Sequence, residues 1–119
     1  MSKVQIPKRG EVWDVNFDPS QGAEIRKQRP TVVISEDWVG RLPLRIVVPI
    51  TDWKAEYSKR PWFVRLPPSD DNGLLKESGA DAFQVKSVSE KRFTKKRGVL
   101  TADQLEDIAA AIAICVGVP

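Results

Sequence analysis

The apolar residues of this chain fall into several short strand-like runs separated by turn residues, and helical periodicity is confined to the C-terminal end. That pattern limits the fold to a small sheet structure closed by one helix. From Glu11 to Phe17 the sequence alternates, with Trp13, Val15 and Phe17 on one face and Asp14 and Asn16 on the other, as a half-buried strand does. Trp13 is thereby assigned to the core. Asp18-Pro19-Ser20-Gln21-Gly22 ends this strand, and the polar stretch Glu24 to Gln28 completes a loop long enough to suggest function. Thr31 to Ser35 and Arg45 to Thr51 are β-branched runs that read as central strands, bounded by Gly40, Pro43 and Asp52. Pro49 limits the second of them to an edge or a bulge.

Phe63 to Leu66 reads as a shorter strand ended by Pro67-Pro68, and Asp70-Asp71-Asn72-Gly73 is a strong turn signal. Ala82 to Val88 alternates again, residues 91–97 are mostly basic, and Val99-Leu100 is a brief extended stop. Thr101 and Gln104 have the spacing of a capping box, which opens a helix over about 101–116. Leu105, Ile108, Ala109, Ile112 and Val116 supply its apolar face, and Gly117 with Pro119 stops it. The sum is one domain over residues 1–119: a strongly bent antiparallel sheet or barrel over about 8–100, with the helix packed outside.

Composition narrows the chemistry. The 119 residues include one cysteine, Cys115, and no histidine, which excludes an internal disulfide, a Cys/His zinc site and a Ser-His-Asp triad. Met1 to Gly10 lacks the apolar segment of a secretory signal, and the apolar run Ile108 to Val116 is shorter than the roughly 20 residues of a membrane span. A cytoplasmic protein without a membrane partner is expected. Residues 1–97 carry all 19 basic side chains and 13 of the 16 acidic ones, leaving a basic body and an acidic tail. Such a body is compatible with a polyanionic partner, and equally ordinary for a soluble protein.

At specific places the chain resembles the MazF/PemK (Kid) toxin endoribonucleases. The resemblance rests on Arg9-Gly10-Glu11-Val12-Trp13, on Lys27-Gln28-Arg29-Pro30 leading into Thr31-Val32-Val33-Ile34-Ser35, and on Val48-Pro49-Ile50-Thr51. It continues through Asn72-Gly73-Leu74 with Ser78, through Gln84-Val85-Lys86-Ser87-Val88, and into the final helix. The resemblance implies an SH3-like small barrel with a C-terminal helix, acting as a homodimer. It implies cleavage of single-stranded RNA with no metal or other cofactor, leaving 2′,3′-cyclic phosphate and 5′-hydroxyl ends. A cognate antitoxin with an acidic, initially disordered segment is the implied inhibitor, seated on the basic groove around Arg26, Lys27 and Arg29.

The family's catalytic arginine and threonine match Arg29 and Thr51. Both suit the chemistry, since a guanidinium fork can hold two phosphate oxygens and a hydroxyl can orient the reacting group. Glu24 is the candidate for the proton transfer that histidine performs elsewhere. Arg26, Lys27, Gln28, Lys54, Gln84 and Lys86 are candidate RNA contacts, Trp53 is a candidate for base stacking, and the run Lys91 to Arg97 offers further cations. Three departures from the family are visible: Ala23 replaces a common serine, Phe83 stands where an acid commonly precedes the glutamine, and Lys86 replaces a common arginine. Two other readings compete, a CcdB-like poison that binds gyrase and a non-catalytic SH3-like RNA-binding module. The end Val116-Gly117-Val118-Pro119 lacks the Trp-Gly-Ile of CcdB-like toxins.

Overall fold

The computed structural model describes residues 6–19, 21–24, 27–39 and 43–119. Its strands are β1 (Glu11–Asn16), β2 (Gln28–Val33), β3 (Leu44–Asp52), β4 (Phe63–Leu66), β5 (Ser78–Asp81), β6 (Lys86–Ser89) and β7 (Phe93–Val99), followed by helix α1 (Ala102–Cys115). They join in one antiparallel sheet in the order β4-β5-β3-β2-β1-β7, with β6 paired to β3. The expected mainly-β, small-barrel architecture with a C-terminal helix is the one observed.

The sheet buries apolar side chains on both faces. Val12, Val32, Val48, Ile50, Leu66, Ala80 and Leu100 pack with Ile108 of α1, while Trp13, Val15, Phe17, Val33, Val47 and Val88 form a second cluster with Phe93. Neighbouring residues such as Val12 and Trp13, or Val47 and Val48, therefore serve different clusters, as the alternation of a strand dictates. β1 is thus more than half-buried, and even Asp14 on its polar face is only 6% exposed.

Pro49 sits in a central strand rather than at an edge. One side of β3 is paired with β2 through Thr31↔Pro49, Val32↔Val48 and Val33↔Val47. On its other side β6 covers Leu44–Val47 and β5 takes over at Ile50–Asp52, so the proline occupies the gap between two partners. No ladder bond is lost there, and the strand passes from one part of the sheet to the other.

Two further expectations are corrected, and the basic run gains an element. The alternation of Ala82 to Val88 is broken by a 3-10 turn at Ala82–Gln84, because the Asp81 carboxylate accepts the Phe83 N–H and starts the turn. The basic run 91–97 is largely strand β7, paired to β1. On α1 the buried positions are Ile108 and Ala111, flanked by half-buried Leu105 and Ile112, while Ala109 and Val116 face solvent. The capping box is formed as expected, with Thr101 Oγ1 accepting the Gln104 N–H at 3.1 Å and Gln104 Oε1 accepting the Thr101 N–H at 3.0 Å. No helix among the described residues is long and apolar enough to cross a membrane.

Glu11 ties the start of β1 to its surroundings. Its carboxylate accepts the Lys8 N–H at 2.8 Å and the Trp13 indole N–H at 3.0 Å, and pairs with Lys96 at 2.8 Å. Burial alone would raise this carboxyl, but the bonds from Lys96, Trp13 and Lys8 and the Lys96 charge outweigh it and hold it below the ordinary 4.5. A depressed carboxyl stabilises the fold above its unfolded value and loses that contribution as pH falls through its folded value. Glu11→Gln is therefore expected to cost about 1–2 kcal/mol at neutral pH, with the gap to wild type closing below 4.5. Urea unfolding at several pH values measures this; a pH-independent gap would contradict it.

Candidate active site

Two strand ends and one loop build the cleft. β2 begins at Gln28, immediately after Lys27, and β3 ends at Asp52, so Arg29 and Thr51 both lie near termini where side chains clear the core. Continuing the β2/β3 register two places beyond Thr31↔Pro49 sets Arg29 opposite Thr51. Arg29 Nη1 donates to Thr51 Oγ1 at 3.3 Å, and both side chains are half-buried. They line a cleft of about 370 Å³ whose wall also includes Lys27, Gln28, Asp52, Leu74, Lys76 and Arg97.

Four cations and one carboxylate make the lining strongly positive. Part of that charge is already matched, since Lys76 Nζ lies 3.0 Å from Asp52 Oδ2 on the exposed rim. Leu75, 87% exposed, projects at the same rim. Lys27 is held with φ at 65°, its N–H donating to Asp18 Oδ1 at 2.9 Å and its carbonyl accepting the Phe17 N–H at 3.1 Å. These bonds join the two ends of the long loop and fix the approach to Arg29.

Other residues singled out from the sequence lie elsewhere. The Glu24 carboxylate is 3.6 Å from Lys86 Nζ, and Gln84 Nε2 donates to the Ala23 carbonyl at 3.5 Å, so these residues form a group that does not line the cleft. Lys86 also stands 5.6 Å from the Phe17 ring centroid. Trp53 is half-buried against Gly79 with Arg65 over its ring, edge-on to Tyr57, and also outside the cleft lining. Lys54 is exposed just before the 3-10 helix Ala55–Lys59. Arg26 lies outside the described residues. Asp81 serves the turn at Ala82; burial raises its carboxyl, against the Phe83 and Gln84 N–H groups and the Arg60 charge.

The sequence reading missed Asp52, Leu74, Lys76 and the particular position of Arg97. Asp52 and Lys76 carry a weak signal, since one adjoins Thr51 and the other follows the Asn72-Gly73 turn. As a whole the cleft offers a guanidinium fork beside a hydroxyl, in basic surroundings suited to a phosphodiester.

Comparison with known proteins places the chain in a family. Residues 8–116 match the family model of the PemK-like, MazF-like toxin of type II toxin-antitoxin systems. Endoribonuclease MazF9 of Mycobacterium tuberculosis is 31% identical over 90% of this chain and 93% of its own length. The endoribonuclease toxin MazF of Escherichia coli K12 is 31% identical over 94% and 96% respectively. Among solved structures, MazF of Deinococcus radiodurans superposes with a TM-score of 0.79 at 24% identity, covering 96% of this chain and 99% of that one. A mycobacterial endoribonuclease solved in complex with its cognate antitoxin gives 0.75 at 19% identity, covering 95% and 97%. The chain belongs to the PemK-like, MazF-like toxin family of type II toxin-antitoxin systems, the MazF-type endoribonucleases.

Proposed function

We propose that this protein cleaves single-stranded RNA at short sequences without a metal, using Arg29 and Thr51, and leaves 2′,3′-cyclic phosphate and 5′-hydroxyl ends. The observation that carries the reading is the 3.3 Å contact between the Arg29 guanidinium and the Thr51 hydroxyl inside a basic cleft. In the reaction, the ribose 2′-oxygen bonds to the adjacent phosphorus and the bond from phosphorus to the 5′-oxygen breaks. The 2′-OH gives up a proton and the departing 5′-oxygen takes one, so the backbone is cut with no water consumed. Negative charge grows on the non-bridging oxygens as the fifth bond forms. Arg29 stabilises that charge through its planar fork, and Thr51 orients either the 2′-OH or a non-bridging oxygen.

Lys27 and Gln28, on the cleft wall, hold the flanking backbone. Gln84, Lys86 and Glu24 act as a group on the neighbouring loop, with Glu24 positioning the Lys86 cation, a reading supported by their 3.6 Å contact. Trp53 and Lys54 extend the surface for bases beyond Thr51. The active form is a homodimer in the cytoplasm, silenced by an antitoxin whose acidic segment occupies the same positive cleft.

The test is incubation of purified protein with a long, unstructured RNA in EDTA, followed by mapping of the new 5′ ends. Cuts at a recurrent short sequence, with 5′-hydroxyl and cyclic phosphate termini, are the expected result. Intact RNA in EDTA, with cleavage restored by magnesium, would overturn the proposed chemistry.

A further inference from the structure

Arg97 stands apart from the rest of the basic run. Along the β1/β7 pair Val12 faces Gly98 and Trp13 faces Lys96, so Arg97 is the extra residue of a bulge in β7. A bulge re-aims the side chain it carries. Here Arg97 takes its place in the wall of the cleft that holds Arg29 and Thr51, whereas Lys95 and Lys96 do not line it.

Its guanidinium is held from behind. Arg97 Nε donates to Asp14 Oδ1 at 2.5 Å, and the Asp14 side chain is only 8% exposed. Nη1 makes a long contact of 3.5 Å to the Gly73 carbonyl, and among the described residues Nη2 has no protein acceptor. Replacing a buried ion pair by apolar residues is often neutral or stabilising, so stability alone gives little reason for this pair. The arrangement instead holds a guanidinium at a fixed place in the cleft wall.

We infer that Arg97, oriented by Asp14, is a second phosphate-binding position that grips an RNA phosphate next to the one being cleaved. This inference rests on the RNA-cleaving reading and deepens it: the cleft takes a strand with at least two backbone phosphates, one at Arg29 and one at Arg97. Base identity plays no part in the Arg97 contact, so it raises affinity for every RNA sequence alike.

The experiment measures binding of an uncleavable probe, a 2′-O-methyl oligoribonucleotide of the mapped cleavage sequence, by fluorescence anisotropy over a range of salt concentrations. Two variants are used. Arg97→Lys keeps the ion pair but commits its single ammonium to Asp14. The double variant Asp14→Asn/Arg97→Gln removes both charges together, leaving net charge unchanged and no buried carboxylate unpaired. Each is expected to weaken binding on the order of 10-fold. The double variant should also flatten the slope of log K against log salt by about 0.7, the signature of one lost single-strand phosphate contact. Wild-type affinity and slope in folded Arg97→Lys protein would overturn the inference and leave the RNA reading intact. Failure of the wild-type protein itself to bind the probe would overturn both.

Discussion

Arg29→Ala is expected to lower single-turnover cleavage of a mapped RNA by about 100-fold or more, because it removes a donor aimed at charge that exists only in the transition state. The magnitude follows from the proposed mechanism, in which this half-buried side chain, with Nη1 on the Thr51 hydroxyl, stands beside the reacting phosphate. Arg29→Lys should recover little, since the ammonium is a point charge without the planar fork that matches two phosphate oxygens. Thr51→Ala distinguishes two roles for the hydroxyl. A loss of a few-fold marks orientation alone, and a loss matching that of Arg29→Ala marks participation in proton transfer. Neither residue belongs to the two apolar clusters, so each variant should melt within a few degrees of wild type. Rate constants for folded variants in EDTA check this, and an Arg29→Ala protein that cuts at the wild-type rate would remove the proposed mechanism.

The reach of the sequence differs between parts of the molecule for physical reasons. β1, the core of β2 and β3, β4 and the capped helix were legible because β-branched runs, alternation and the Thr101–Gln104 spacing are local signals. β5 was not: Ser78-Gly79-Ala80-Asp81 has weak strand propensity, and its pairing with β3 and β4 is set by tertiary contacts. Gly79 in particular is needed where the Trp53 ring lies close, with a Cβ there falling 2.9 Å from a ring carbon. The helix face slipped from Ala109 to Ala111 because alanine fits either setting, and packing against β4 and the Ala82 turn decides between them.

For the candidate site, the near wall was legible and the far wall was not. Arg29 and Thr51 lie in motifs that stand out one strand at a time, and a single register relation brings them together. Arg97 looked like one cation in a solvated run. Only the bulge separates it from Lys95 and Lys96, and a bulge is a property of two strands that neither sequence states alone. The same applies to Glu24, whose carboxylate meets Lys86 across a loop contact that sequence spacing does not disclose.

Gly98→Ala, next to Arg97 behind the far wall, is expected to be strongly damaging, and the reason is space rather than backbone angle. An added Cβ would fall 2.1 Å from the Asp71 carbonyl oxygen and 2.7 Å from the Asn72 carbonyl carbon, both backbone atoms. That loop cannot retreat easily. Asn72 is 2% exposed, and its side chain accepts the Ser69 and Leu74 N–H groups while donating to the Pro67 carbonyl. The Asp71 carbonyl is also bound to the Val99 N–H at 2.8 Å. Overpacking against a rigid backbone typically costs about 1–3 kcal/mol, and here the upper end or beyond applies because no flexible side chain can absorb the methyl. For a domain of this size that lowers the melting temperature by on the order of 10 °C. Gly117→Ala provides the contrast: its φ of 75° disfavours alanine, yet nothing lies within 4 Å of the added methyl, so the cost stays near 1 kcal/mol. Gly98→Ala must also move the loop that brings Leu74 and Lys76 into the cleft and the strand position beside Arg97, so cleavage should fall below what the lost stability explains, even in protein still folded at the assay temperature. Thermal melts of the two alanine variants, paired with cleavage at 25 °C, decide the matter: a Gly98→Ala protein as stable as Gly117→Ala would show that the loop yields, and the far wall would then lose its claim to rigidity.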